Sequence, residues 1–362
     1  MTQRRVVEPT PVGIGGAEDT DPLGVDGAED TDLGAARGGD EDAFRRLTDR
    51  YRRELHLHCY RMLGSYHDAE DAVQDTFLRA WRHLASFAGR SPFRNWLYRI
   101  ATNVCLSQRS RRPASPLRVP RAVEDVPHTI EPGLALSPYP DALLDELHTV
   151  AASPAAVYDL RESVQLAFLA AVQLLPPRQR AVLILRDVAG FSAEETAALL
   201  EATLASVNSA LTRARATLGQ QRAAGRLHLG RAPASDATAE AIVRRYVRAW
   251  QASDIGQLAD LLKQDVVMTM PPLPLRYAGQ ANVIRFLVSI PAMSERRLFR
   301  FVPTRANRQP AMAVYRRAAN QVFRAWALFV LGADGAAVAE ITAFVDSSLL
   351  PVFGLPLELP AE

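Results

Sequence analysis

Eight prolines fall between residues 113 and 160, and they divide the rest of the chain. Proline removes a backbone donor and blocks helix interiors, so no long regular element crosses this stretch. It reads as a linker with one short helix near 142–147. Before it the apolar pattern has a helical period: Phe44, Leu47, Tyr51, Leu55 and Cys59 recur three or four residues apart. Gly64 ends that helix. A second is expected over about 68–84, with Asp68, Glu70 and Asp71 at its positive N-terminal end. A third follows Pro92, which suits a first helical turn, and runs to about 109, burying Leu97, Ile100, Ala101 and Val104. Beyond the linker, four helices are expected at 161–174, 177–188, 193–200 and 204–219. After a spacer at 223–236 the texture changes. Helix 237–252 leads into strand-like alternation, FRAWALFVLGADGAAVAEITAFVD, with a hairpin turn at Asp334-Gly335. The pattern predicts a multidomain chain: two all-α modules (40–112 and 161–222), then an α+β domain (237–346) and an apolar tail (347–362).

The net charge of +2 conceals segregation. Residues 1–43 carry −8, 44–112 carry +8, 113–160 carry −5, 161–236 carry +3 and 237–362 carry +4. Blocks of alternating sign suggest modules with different partners. Residues 1–39 hold a near-tandem repeat, GAEDTDPLGVD then GAEDTDLGAAR, poor in large apolar groups, and are expected to be disordered. Cys59 and Cys105 are the only cysteines, too few for a disulfide framework or a Cys-rich zinc site, and no metal or cofactor is expected. No apolar run reaches the ~18–20 residues of a membrane span. With no signal-peptide h-region either, a cytoplasmic address is the expectation.

The clearest local motif lies at 191–219. Ser192 followed by Glu195 is a capping box. Thr203 can cap the next helix, whose buried face would carry Leu204, Val207, Leu211, Ala214 and Leu218. Two helices joined by a short turn, the second exposing small polar side chains and arginine, describe a helix-turn-helix. In this setting LPPRQRAVLILRDVAGFSAEETAALL (175–200) and SVNSALTRARATL (206–218) resemble region 4 of the sigma-70 family of bacterial RNA polymerase initiation factors, extracytoplasmic-function group. DAEDAVQDTFLRAWRHLASF (68–87) and FRNWLYRIATNVC (93–105) resemble region 2.

That resemblance implies roles for particular residues. Asp68, Glu70, Asp71, Gln74, Asp75 and Arg79 would dock on core RNA polymerase, four of them on one helical stripe. Phe87, Arg90, Arg94, Asn95, Arg99 and Asn103 would capture the opened −10 element, since single strands need cations for phosphate and flat groups for bases. Asn95, Arg99 and Asn103 share a stripe; Trp96 is assigned to the core. Ser206, Asn208, Ser209, Thr212 and Arg213 would read the −35 element of promoter DNA, with Arg215 on phosphate. Arg178 and Arg180 would touch phosphate or the polymerase flap. At Glu201 the family often has glycine, so the turn is expected to close differently.

Residues 237–346 resemble the SnoaL-like members of the nuclear-transport-factor-2-like superfamily, curved sheets wrapped by helices into a cone. Some members use an Asp–His pair for acid/base work. All seven histidines precede this domain, so that pair is not expected, although Tyr246, Asp254, Asp265 and Glu340 are available. The resemblance implies a built-in regulator, expected to sense a small apolar ligand or to contact the first helical module. The other readings are an isomerase or cyclase anchored to DNA, and a ligand-sensing regulator independent of polymerase.

Overall fold

The computed structural model describes residues 26–109, 127–130, 136–148, 163–223, 236–289 and 298–361. Residues 1–25, the linker positions 110–126, 131–135 and 149–162, and most of the second spacer lie outside the described residues.

Residues 26–49 form one compact unit and 50–362 another. In the first, Asp26–Arg37 is a helix (α1), contrary to the disorder expected from its acidic repeat. The repeat's own Asp32 supplies the reason: nearly buried, it accepts Arg46 Nε at 3.0 Å and NH2 at 2.8 Å. Composition alone hides such a tertiary partner. Gly39, at φ +96°, turns the chain, and Asp40 caps the next helix through Ala43 N at 3.0 Å.

α2 (Glu41–Leu63), α3 (Tyr66–His83) and α4 (Phe93–Arg109) match the three expected helices. Ser65 caps α3 by accepting from Asp68 N. Leu55, Cys59, Val73, Leu97, Ala101, Val104 and Cys105 are buried; Ile100 is only half-buried, short of the core position expected for it. Burial, with Cys59 alongside, pushes the Cys105 thiol well up, which keeps it unreactive.

Two histidines are sealed in this module. His58 Nε2 meets Thr102 Oγ1 at 2.9 Å, and burial lowers its pKa to about 3. His56 Nδ1 meets the Tyr139 hydroxyl at 2.9 Å, and burial lowers its pKa to about 4 against the pull of Glu70. Both folded values lie below the unfolded 6.5, so the unfolded chain binds more protons as acid is added. Stability is therefore complete above about pH 6.5 and is lost toward pH 4, by up to about 1.4 kcal/mol per unit per histidine. Urea denaturation at pH 7.5 and pH 5 should give a lower midpoint at pH 5; equal midpoints would mean these rings are not held neutral.

After a short segment come α6 (Leu166–Gln173), α7 (Pro177–Leu183, widening into a π-turn over Ile184–Val188), α8 (Ala193–Leu199) and α9 (Leu204–Ala223). Val172, Leu175, Val182, Leu183, Val207, Leu211 and Ala214 form their core. Leu204, expected on that face, is exposed because it opens α9 beyond the reach of the core.

The C-terminal domain has α10 (Asp236–Ala252), α11 (Ile255–Leu261) and α12 (Gln280–Ser289) against one sheet. Its strands are β1 (Thr129–Ile130), β2 (Leu262–Met270), β3 (Leu273–Ala278), β4 (Phe299–Ala306), β5 (Gln309–Arg317), β6 (Phe323–Asp334), β7 (Ala337–Phe344) and β8 (Glu358–Leu359). The order is β1-β3-β2-β7-β6-β5-β4, with β8 on β6; β2 and β7 pair in parallel and the rest antiparallel. The Asp334-Gly335 turn joins β6 to β7 as predicted, with Gly335 at φ +61°.

Two expectations change here. The linker is anchored where it is described: it lends β1 to the sheet, bridges Pro140 to Ala306, and forms α5 (Asp141–His148). It also brings His128 against Tyr277, with ring centroids 5.9 Å apart, so a histidine does reach the sheet from outside the domain's own sequence. The apolar tail forms a 3-10 turn over Ser347–Phe353 before β8, burying Leu349 and Leu350.

Candidate nucleic-acid interface

On α3 the predicted acidic stripe is outward-facing. Asp71 and Gln74 are exposed; Asp68, Glu70, Asp75 and Arg79 are half-buried. Arg79 forms a forked pair with Asp75, at 3.0 and 2.8 Å. The carboxylate of Glu70 lies 3.5 Å from His56 Nε2. Leu78, which sequence reading passed over, stands among these polar groups at 57 % exposure. Its position three residues after Asp75 and four after Gln74 was the available signal.

The −10 set is not brought together as expected. Phe87 is buried, packed on Phe93 and Trp96 at 5.5 and 5.0 Å between centroids, so it supports the site rather than facing a base. Arg94 is held by Glu54, with Nε at 2.8 Å, and lies over the Tyr98 ring at 4.8 Å. Arg90 and Asn103 are exposed. Trp96, assigned to the core from its apolar neighbours, is half-buried and lines a surface pocket of about 440 Å³. Arg79, His83, Ser86, Arg99, Ile100 and Asn103 complete the walls. An indole face, guanidinium groups, an amide and a hydroxyl around one opening suit an unstacked base with its phosphate.

In the second helical module the capping box is complete: Glu195 N donates to Ser192 Oγ at 3.1 Å and Ser192 N to Glu195 Oε2 at 2.7 Å. Thr203 accepts Ser206 N at 3.2 Å. Glu201 takes the glycine-like conformation itself, at φ +50°, so the turn keeps its geometry despite the non-glycine residue. The exposed face of α9 carries Ser206, Asn208, Ser209, Thr212 and Arg213, with Arg213 NH1 donating to Ser209 Oγ at 2.8 Å. Thr212 donates to the Asn208 carbonyl at 2.9 Å. Arg215, expected on phosphate, is forked onto Asp187 at 3.0 and 2.7 Å. Arg178 is exposed.

Arg180 is the clearest correction. It is 0 % exposed, so neither phosphate nor flap can reach it. Its guanidinium donates to the carbonyls of Val172 (2.7 Å), Gln173 (2.8 Å), Leu175 (3.0 Å) and Met62 (2.7 Å), and to Gln173 Oε1 (2.6 Å). Those carbonyls close the end of α6, and Met62 belongs to α2. Arg180 therefore joins the two helical modules.

The C-terminal domain reaches the same junction through its β4–β5 hairpin. Asn307 and Arg308, at φ +56° and +60°, form the two-residue turn. Asn307 is 0 % exposed; its Nδ2 donates to Tyr60 Oη (2.8 Å) and the Val164 carbonyl (2.7 Å), and its Oδ1 accepts Tyr139 N (2.8 Å). Arg308 N and Arg305 Nε donate to Asp141 at 2.8 and 3.2 Å. One asparagine thus ties helix α2, the linker and the lead-in to α6. No histidine or cysteine signal marked it; only its place in a two-residue hairpin turn could have. Among the described residues no helix is long and apolar enough to cross a membrane, and no cluster of His, Cys, Asp or Glu could hold a metal ion.

Two helical modules, one bearing a helix-turn-helix and one a cationic pocket, define a DNA-handling protein with an α+β appendage. Residues 47–113 match Sigma-70 region 2, residues 165–218 match Sigma-70 region 4, and residues 243–341 match the SnoaL-like domain. ECF RNA polymerase sigma factor SigG of Mycobacterium tuberculosis is 42% identical over 318 residues, 85% of this chain and 83% of its own. ECF RNA polymerase sigma-E factor of Salmonella typhimurium is 32% identical over 183 residues, 49% of this chain and 85% of its own. Among solved structures, the Mycobacterium tuberculosis extracytoplasmic function sigma factor SigJ has a TM-score of 0.55 at 19% identity, over 86% of this chain and 98% of that one. The chain belongs to the extracytoplasmic-function group of RNA polymerase sigma factors.

Proposed function

We propose that the chain binds core RNA polymerase through the outer stripe of α3, opens and captures the −10 element at α4, and reads the −35 element with α9. It does no chemistry of its own. The observation that carries this reading is the pocket around Trp96, whose aromatic face, amide and guanidinium groups sit in the module that resembles the strand-opening one. Leu78 joins Asp71, Gln74 and Asp75 in the polymerase contact, as an apolar anchor within a polar rim. Trp96→Ala should lower promoter opening by reconstituted holoenzyme about tenfold, the loss expected for one base–aromatic stack. A 2-aminopurine reporter in the non-template strand reads that step. Opening at the wild-type rate would remove the pocket from the reading.

The C-terminal domain, in this proposal, regulates the sigma modules through the Asn307 hairpin rather than by turnover. Asp254, an acid available for catalysis, is used as a helix cap, accepting Gln257 N at 2.9 Å. A ligand-binding role draws on Tyr277, whose buried hydroxyl finds no partner among the described residues while burial raises its pKa to about 12. Such a ligand would be apolar with one hydrogen-bonding group.

A further inference from the structure

The indole that walls the base pocket is seated on two phenyl rings. Phe87 lies 5.0 Å from Trp96 and Phe93 5.5 Å, between ring centroids. Both phenyl rings are buried, whereas Trp96 is half-buried and lines the pocket. The two phenyl planes stand 76° apart. The indole is tilted 38° from one and 39° from the other, so its plane lies close to halfway between the two walls of a V.

Local sequence builds that V. The chain leaves α3 through a 3-10 turn, Leu84–Ser86, and Phe87 closes it by donating its N–H to the Leu84 carbonyl at 3.1 Å. Gly89, at φ +68°, supplies the turn that follows, in a conformation glycine adopts freely. Phe93 opens α4, and Trp96 comes three residues later, where helical side chains are neighbours. The Trp96 N–H is fixed on the Pro92 carbonyl at 3.2 Å. Tyr51 of α2 backs Phe93, with centroids 6.1 Å apart. Rings from α2, the 3-10 turn and α4 therefore converge under one indole.

An unsupported indole on a helix surface samples several staggered side-chain wells. Stacking on a base selects one of them. Ordering one such side chain at the moment of binding weakens the contact by about two- to tenfold. A ring already wedged in a V loses little further freedom.

We propose that Phe87 and Phe93 are positioning residues for strand capture, which set the tilt of Trp96 before DNA arrives. The proposal rests on the assignment of the Trp96 pocket to the −10 strand. Phe87 then acts on the captured base through Trp96 and not by touching it.

Phe87→Leu and Phe93→Leu keep each site apolar and remove a flat wall. In reconstituted holoenzyme, read with 2-aminopurine in the non-template strand, each should slow promoter opening about two- to tenfold and leave affinity for core polymerase unchanged. Neither should add to the loss caused by Trp96→Ala, because a ring that acts only through the indole then has nothing to position. In the full chain labelled with 5-fluorotryptophan, the fluorine resonance assigned by Trp96→Phe should move in both leucine variants. Wild-type opening in both variants, losses that add in full to that of Trp96→Ala, or an unmoved fluorine resonance overturns the proposal. Phe93 opens a helix, so if its variant fails to fold, Phe87→Leu decides the same question. Trp96→Ala separates the two levels. Slowed opening there, beside wild-type opening in the leucine variants, overturns the positioning role alone; wild-type opening in Trp96→Ala removes the pocket assignment itself.

Discussion

Arg180→Ala should destabilise the full chain by about 3–5 kcal/mol, because one truncation orphans several buried acceptors at once. Val172, Gln173, Leu175 and Met62 would each lose a donor to their carbonyl, in a site water does not reach. Lysine cannot replace the guanidinium, since three donors on a point charge do not span carbonyls arranged around a planar fork. Urea denaturation followed by far-UV circular dichroism reads the loss. A stable Arg180→Ala protein with weakened DNA binding would restore the phosphate-contacting role implied by sequence.

Asn307→Gly is expected to loosen the C-terminal domain from the sigma modules while leaving the hairpin intact. Glycine accepts the φ of +56°, so the substitution removes only the side chain. Tyr139 N, Tyr60 Oη and the Val164 carbonyl then lose partners at 2.8, 2.8 and 2.7 Å. With each buried bond worth about 1 kcal/mol and more when its partner is stranded, docking should weaken by about 2–4 kcal/mol. Limited proteolysis should release the C-terminal domain from the sigma modules faster than in wild type, and assembly with core polymerase should accelerate at limiting chain concentration. Unchanged protection would mean the hairpin is not the lock.

Local signals were legible in the sequence. The Ser192–Glu195 box, the Thr203 cap, the three helices of the first module and the turn at Asp334-Gly335 follow from short-range spacing, and the structure has all of them. Tertiary placement was not legible. An arginine near a helix start looks the same whether it faces solvent or, like Arg180, seals the end of another helix. Phe87 and Trp96 exchanged their expected roles because both lie beside apolar residues, and only packing decides which ring is covered. The histidine count failed for His128 because a strand can be lent to a sheet from far away in sequence. The acidic repeat was misread over α1 because Arg46 lies outside it.

Promoter-specific initiation is the most direct consequence of the proposed function. Core RNA polymerase should be supplied with genomic DNA fragments, with and without the full chain, and the 5′ ends of the transcripts sequenced. Discrete start sites preceded by a shared pair of motifs, present only with the chain and lost with Trp96→Ala or Arg213→Ala, are the predicted result. Start sites that do not change when the chain is added would contradict it.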